Sequence, residues 1–293
     1  MGIALQTVTN ELTHVFLLSV GAFLLAMFLT PIYTFFAYRY RFWKHQRENA
    51  VTGEKLQVFN RLHEGKIRRN IPTMAGVISV IAAGLVTLLF NLDRAQTWLP
   101  LAAFAGGAAV GLIDDYLNIF GSNKKDAGMR APVKFALITL IGLVLGWFFY
   151  VKLGVMSFHV PFMGEVNIGW LIVPLFAFAV VATGNAVNIS DGLDGLAGGL
   201  LSISFGAFGV IALLQQQVLL AGFCFTMVGV LLSYLWFNIY PARFFMGDVG
   251  SFAYGACLGV VAMLTDSLLL LPVIGLLFVI EAGSSLTQIV SKK

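Results

Sequence analysis

Charge is scarce in this chain of 293 residues: Asp, Glu, Lys and Arg together make up 11%, against roughly a quarter in an ordinary soluble domain. With 59% hydrophobic residues and a mean hydropathy of +0.88, that scarcity excludes a soluble globular fold and indicates an all-α integral membrane protein. Cysteine is nearly absent. Cys224 and Cys257 fall inside apolar segments, so no disulfide framework is expected and both read as small core residues. Histidine is equally sparse, and His14, His45, His63 and His159 form no group of zinc-ligand spacing with those cysteines. No G-x4-GK[ST] or G-x-G-x-x-G loop is present, which leaves ATPase and nicotinamide chemistry without support. There is no repeat of fixed period, no low-complexity tract and no soluble domain, so residues 1–293 read as one polytopic membrane domain. The first apolar run lacks a basic start and a small-residue cleavage site and is read as a retained span.

What the chain has instead is apolar length. A spanning helix needs roughly 20 apolar residues, and nine runs approach or exceed that: 14–38, 73–91, 98–117, 132–151, 170–188, 196–214, 218–237, 249–264 and 268–290. Lys and Arg near helix ends are retained on the cytoplasmic side. The loops 39–72 and 118–134, with Arg243, Lys292 and Lys293, carry 16 of the 18 basic residues, leaving Arg94 and Lys152 opposite. This predicts an outer N-terminus, a cytoplasmic C-terminus and contact with anionic lipid heads, and implies no nucleic-acid partner. Residues 41–72 mix basic residues with Phe42, Trp43 and Phe59 and suit a helix lying in the inner interface. KLGVMSFHVPFMGEVNIG, residues 152–169, partly alternates around Pro161 and Gly164 and predicts a short outer β-hairpin. Gly107 and Gly111, four apart in the third run, would let another helix approach closely.

The few acidic residues then stand out. Asp114 and Asp115 end the third run in GLIDDYLNIF, where two adjacent carboxylates in a partly dry setting favour either a raised pKa or a bound cation. NAVNISDGLDGLAGG, residues 185–199, repeats a polar residue every three positions through Asn185, Asn188, Asp191 and Asp194. Its glycines permit turns and close approach of a ligand, although either aspartate would also serve as a helix cap. FNIYPARFFMGDVGS, residues 237–251, sets Asp248 at the start of the eighth run, where it stabilises the helix start and where backbone N–H groups could face an anion. The predicted topology puts all three elements at one face. Hard oxygen donors of this kind suit Mg²⁺ or Mn²⁺ bridging phosphates.

Four blocks, IPTMAG at 71–76, GLIDDYLNI at 111–119, NAVNISDGLDGLAGG and FNIYPARFFMGDVGS, make the chain resemble the polyprenyl-phosphate N-acetylhexosamine 1-phosphate transferase superfamily, glycosyltransferase family 4. The Pro-Thr-Met and Tyr-Pro-Ala runs favour the branch that uses UDP-MurNAc-pentapeptide over the N-acetylglucosamine branch. The resemblance implies transfer of phospho-MurNAc-pentapeptide to undecaprenyl phosphate, giving lipid I and UMP, with Mg²⁺, at the cytoplasmic face of the bacterial inner membrane. It implies Asp248 as the metal ligand, Asp115 supporting metal and phosphate, and Asp114 acting on the lipid phosphate. Asn188 and Asp191 would line the diphosphate path, Asp194 would reach the uridine, and Phe245 would stack on the uracil. Thr73 with Arg68 or Lys66 would complete the nucleotide pocket. A homodimer is also implied. The family pattern continues into a His-rich cytoplasmic loop and a tenth span, whereas this chain ends at SLTQIVSKK, so a form truncated at the C-terminus is expected.

Other functions fit less well. A sister transferase taking UDP-GlcNAc or another UDP-sugar is the nearest. A CDP-alcohol phosphotransferase would need a DG-x2-AR run, which is absent. A cation-coupled transporter would hold its carboxylates near the midplane between broken helices, and only Glu281 lies well inside a run. Between direct attack by the lipid phosphate and a covalent aspartyl intermediate, direct attack is favoured because positioning and electrostatics can carry phosphoryl transfer.

Overall fold

The computed structural model describes residues 2–43, 71–121 and 128–291. Each of the nine apolar runs forms helix: α1 (Gly2–Arg39), α2 (Gly76–Phe90), α3 (Trp98–Phe120), α4 (Ala131–Lys152), α5 (Ile172–Ser190), α6 (Leu196–Leu214), α7 (Val218–Asn238), α8 (Gly247–Leu264) and a last broken segment. That segment is a short α9 (Leu271–Ile274) and α10 (Leu276–Ser291), bent by 79° at Gly275. Among the described residues, six helices are long and apolar enough to cross a membrane, seven if the bent pair counts as one span. The chain is therefore a multi-pass membrane protein. At 15 residues α2 is shorter than a full span, and the carboxylates that end α3 lower its apolar character. Most of the basic segment expected to form an interfacial helix, with Lys66 and Arg68, lies outside the described residues.

The hairpin is present as β1 (Ser157–Val160) paired antiparallel with β2 (Gly164–Asn167), with Phe158 opposite Val166. It is fastened to the corner after α8 by the His159 N–H, which donates to Asp266 Oδ1 at 2.9 Å. Burial, reinforced by the neighbouring Glu165, holds the Asp266 carboxyl above the usual carboxylate range, partly offset by that N–H.

The architecture is organised around α8. Every residue from Gly247 to Met263 is buried, and the helix packs against α3 and α5 along most of its length and against α2 at its start. Small residues make this possible, because between helices in lipid the attraction is close van der Waals contact rather than a hydrophobic drive. A Cβ at Gly107 would lie 2.4 Å from the Phe252 carbonyl oxygen, and one at Gly111 would lie 2.1 Å from the Asp248 carbonyl oxygen. On another side, Gly255 faces the Gly184 backbone of α5 and Gly259 faces Thr183 and Ala179. A second layer forms as α1 packs on α7 and α7 on α6, around a core that includes Phe205, Phe208, Phe223 and Tyr254.

Backbone contact this close leaves no room for a methyl group. Gly111→Ala is expected to force α3 from α8 and to destabilise the protein by about 1–3 kcal/mol, read as a lowered unfolding midpoint in detergent. Gly84→Ala, where nothing lies within 4 Å of the added atom, should show no loss. Equal midpoints for the two variants would refute the proposed crossing.

Candidate active site

At one end of the α3–α8 crossing, carboxylate oxygens of Asp114, Asp115 and Asp248 all lie within 4.8 Å of one another, and all three residues are buried. The approach is imposed by backbone. Gly111 lets α8 begin against α3 one turn before Asp115, so that Asp248, the second residue of α8, faces the end of α3.

Asp115 has a structural task in this arrangement. The first N–H groups of a helix have no partner within it, and Met246, at the N-cap of α8, makes no side-chain cap. Asp115 Oδ2 instead accepts the Val249 N–H at 3.1 Å, capping α8 from the neighbouring helix. The anion expected at the start of the eighth run is thus provided by the protein itself. Gly247, with φ +76°, completes the turn; a Cβ there would fall 2.5 Å from Asp115 Oδ2 and 2.9 Å from Thr73 Oγ1.

Asp114 is held differently. Its Oδ1 accepts the Met129 N–H at 2.6 Å, and its Oδ2 lies 3.0 Å from Lys134 Nζ. The same ammonium group lies 2.7 Å from Asp248 Oδ2 and 5.2 Å from the centroid of the Phe252 ring. Lys134 therefore bridges carboxylates from two helices. It sits in the first turn of α4, just after Pro132, and is mostly buried. Sequence reasoning counted Lys134 only among the basic loop residues. Its signal was position: a lysine inside the helix start, one turn past the end of a loop, points back at that loop's other end.

The IPTMAG block and the FFMGD block are joined by backbone. The Phe245 N–H donates to the Pro72 carbonyl at 2.9 Å, while Ala75 and Gly76 donate to the Phe245 and Met246 carbonyls at 3.0 and 2.9 Å. Thr73 is buried, its carbonyl accepting the Tyr33 hydroxyl, and it stands beside Gly247 and Asp115. The two adjacent phenylalanines have different fates. Phe244 is buried among Tyr33, Tyr234 and Phe237, whereas Phe245 is only half-buried at the same loop.

The loop after α5 reaches the site through side chains. Asn188 donates to Ser251 Oγ at 2.9 Å, which ties α5 to the second turn of α8. Asp191 ends α5. Asp194 does not cap α6, whose N-cap is Gly195 with φ +78°; its Oδ2 accepts the Ala242 N–H at 3.1 Å and braces the loop that leads to Asp248. Asn238 works beside it, accepting the Gly195 N–H and donating to the Phe244 carbonyl, each at 2.9 Å. Lys66 and Arg68 lie outside the described residues.

This donor set fits a divalent cation. Three hard carboxylates converge in a space that a single ammonium group now bridges, and the site is large enough for one positive centre shared between helices. Such a centre would counter the mutual repulsion of the three acids.

The comparisons with known proteins agree in direction. Residues 97–266 match the family described as Glycosyl transferase family 4, a stretch that contains all three aspartates and Lys134. Phospho-N-acetylmuramoyl-pentapeptide-transferase of Chloroflexus aggregans (strain MD-66 / DSM 9485) is 38% identical over 98% of this chain and 78% of its own length. The protein of the same description from Listeria monocytogenes serotype 4b (strain CLIP80459) is 34% identical over 92% of this chain and 80% of its own. That from Listeria welshimeri serovar 6b is 35% identical over the same shares. On a family match across more than half its length and relatives of this similarity over nearly all of it, the chain belongs to glycosyl transferase family 4.

Proposed function

We propose that this chain is the Mg²⁺-dependent transferase that moves phospho-MurNAc-pentapeptide from UDP-MurNAc-pentapeptide to undecaprenyl phosphate, releasing UMP and forming lipid I at the cytoplasmic face of the bacterial inner membrane. The observation that carries this reading is the convergence of Asp114, Asp115, Asp248 and Lys134 at the end of apolar helices, in a chain similar to transferases of that description. In this reading the site opens toward the side that holds most of the basic residues.

The reaction exchanges one phosphoanhydride bond for another. An oxygen of undecaprenyl phosphate forms a bond to the sugar-linked phosphorus, the bond from that phosphorus to the bridging oxygen of the diphosphate breaks, and the bridging oxygen leaves with UMP. A magnesium ion, held by Asp248 with Asp115 in support, would neutralise the diphosphate and the charge developing on UMP. Asp114 holds the lipid phosphate and takes its proton where one is present, which leaves the attacking oxygen anionic. Lys134, 3.0 Å from Asp114 and 2.7 Å from Asp248, would share with the cation the task of countering the charge on the carboxylates and the phosphate oxygens. Asn188 and Asp191 line the diphosphate path. Asp194 holds the nucleotide loop in place for the uridine, and Phe245 offers its half-buried ring to the uracil, beside Thr73 and a basic residue from the 66–68 segment.

In release of UMP from UDP-MurNAc-pentapeptide with a polyprenyl phosphate, Asp248→Asn and Asp114→Asn should each lose at least about a hundredfold in rate. Chelation should abolish turnover and added Mg²⁺ restore it, and UDP-GlcNAc should give only background. Wild-type rates in both variants would end this assignment. Lys134→Met removes a positive group that serves the phosphates and should likewise cost about a hundredfold in kcat. If instead it leaves kcat intact and only lowers the unfolding midpoint, Lys134 is a structural ion-pair partner and nothing more.

A further inference from the structure

Arg94 and Lys152 are the two basic residues that the loop-charge count leaves on the far side from the acidic site. They are 58 positions apart in sequence, yet both line one cavity of about 710 Å³ with Trp98, Phe148, Leu153 and Asp93. The cavity is at the opposite end of the same two helices that build the acidic site. Trp98 begins α3 and Asp115 lies 17 residues along it; Lys134 is in the first turn of α4 and Lys152 ends it. At 1.5 Å per residue each interval is roughly 25 Å, close to the thickness of a bilayer's hydrocarbon core. The cavity therefore meets the membrane face opposite the carboxylates.

Its chemistry is amphipathic and cationic. Neither the Arg94 nor the Lys152 side chain has an ion pair or hydrogen bond among the described residues. Asp93, the one acid in the lining, is engaged in its own turn: its Oδ1 accepts the Ala95 and Gln96 N–H groups, both at 2.8 Å. That turn is fixed further by Asn91, which donates to the Leu219 carbonyl, and by Gln96, which accepts from the Leu220 N–H. Arg94 is thus presented by an ordered turn. Lys152 complements the C-terminal end of α4, but no such local reason exists for Arg94. Trp98 is 50% exposed and Phe148 is 42% exposed, so aromatic surface flanks the two cations on the outside of the protein. Tryptophan with Arg or Lys at a membrane interface is the combination that anchors at headgroup depth.

We infer that this cavity binds the phosphate headgroup of an anionic membrane phospholipid, with Arg94 and Lys152 on the phosphate and the Trp98–Phe148 wall along the upper acyl chain. The inference is independent of the transfer reaction.

The test uses the full chain in nanodiscs containing a photoactivatable phosphatidylglycerol, with crosslinked peptides identified by mass spectrometry. Crosslinks are expected in 92–99 and 148–153, and the double variant Arg94→Gln/Lys152→Gln should lower them at least about fivefold. Crosslinks at the other membrane face should be unchanged, which shows that the variant is folded. Equal labelling of these peptides by the phosphatidylcholine analogue, or equal labelling in the variant, would overturn the site. Loss of labelling in millimolar inorganic phosphate at fixed ionic strength would identify a free anion as the ligand and overturn the lipid assignment.

Discussion

Three carboxyl groups are held together by a backbone contact that leaves no room to loosen. Two unit charges 4 Å apart interact by about 4 kcal/mol even at an effective dielectric of 20, so Asp114, Asp115 and Asp248 would separate if helix packing allowed it. It does not, because α8 is enclosed and its glycine and alanine faces sit directly on the backbones of α3 and α5. Lys134 and the N-terminal amides of α8 answer part of the repulsion. What remains is an affinity for positive charge, which packing energy sustains.

The helices were legible because a bilayer demands apolar length, and each of the nine apolar runs became helix, although only six, or seven with the bent pair, are long and apolar enough to cross a membrane among the described residues. Their arrangement was harder to read. In a soluble protein one helix face is polar, and the 3.6-residue period reveals the buried side. Here lipid and interior are both apolar, so Gly247–Leu264 looks no more central than Val218–Asn238. The signal was residue size: GDVGSFAYGACLG is small almost throughout, as an enclosed helix must be when every neighbour approaches by backbone. The Gly107/Gly111 pair was read correctly as a contact surface, but only the structure names its partner. The bend at Gly275 was marked in the sequence only by the glycine and by Pro272 three residues before it.

At the site, aspartates were conspicuous because carboxylates are rare in this chain, and the turn chemistry around them marked loops that meet. Lys134 was missed for the converse reason. Basic residues crowd that side of the membrane to satisfy topology, so in the sequence one lysine with a specific partner looks like any other. Arg94 and Lys152 were visible as exceptions to the same rule, yet their meeting in one cavity depended on how α3 and α4 lie side by side. Rarity makes a residue legible, and abundance conceals it.

The three aspartates also differ in what they hold, and this governs how substitutions should be interpreted. Asp115 is fully buried and caps α8 through the Val249 N–H, so removing its charge disturbs the helix that positions Asp248. A loss of activity at Asp115 therefore mixes folding with chemistry. Asp114 bonds the loop at Met129 and reaches α8 only through Lys134, which it shares with Asp248; it caps no N–H of α8 as Asp115 does. The orientation of α8 depends on its glycines and on Asp115, leaving Asp114 as the carboxylate whose substitution reports most directly on the reacting phosphate.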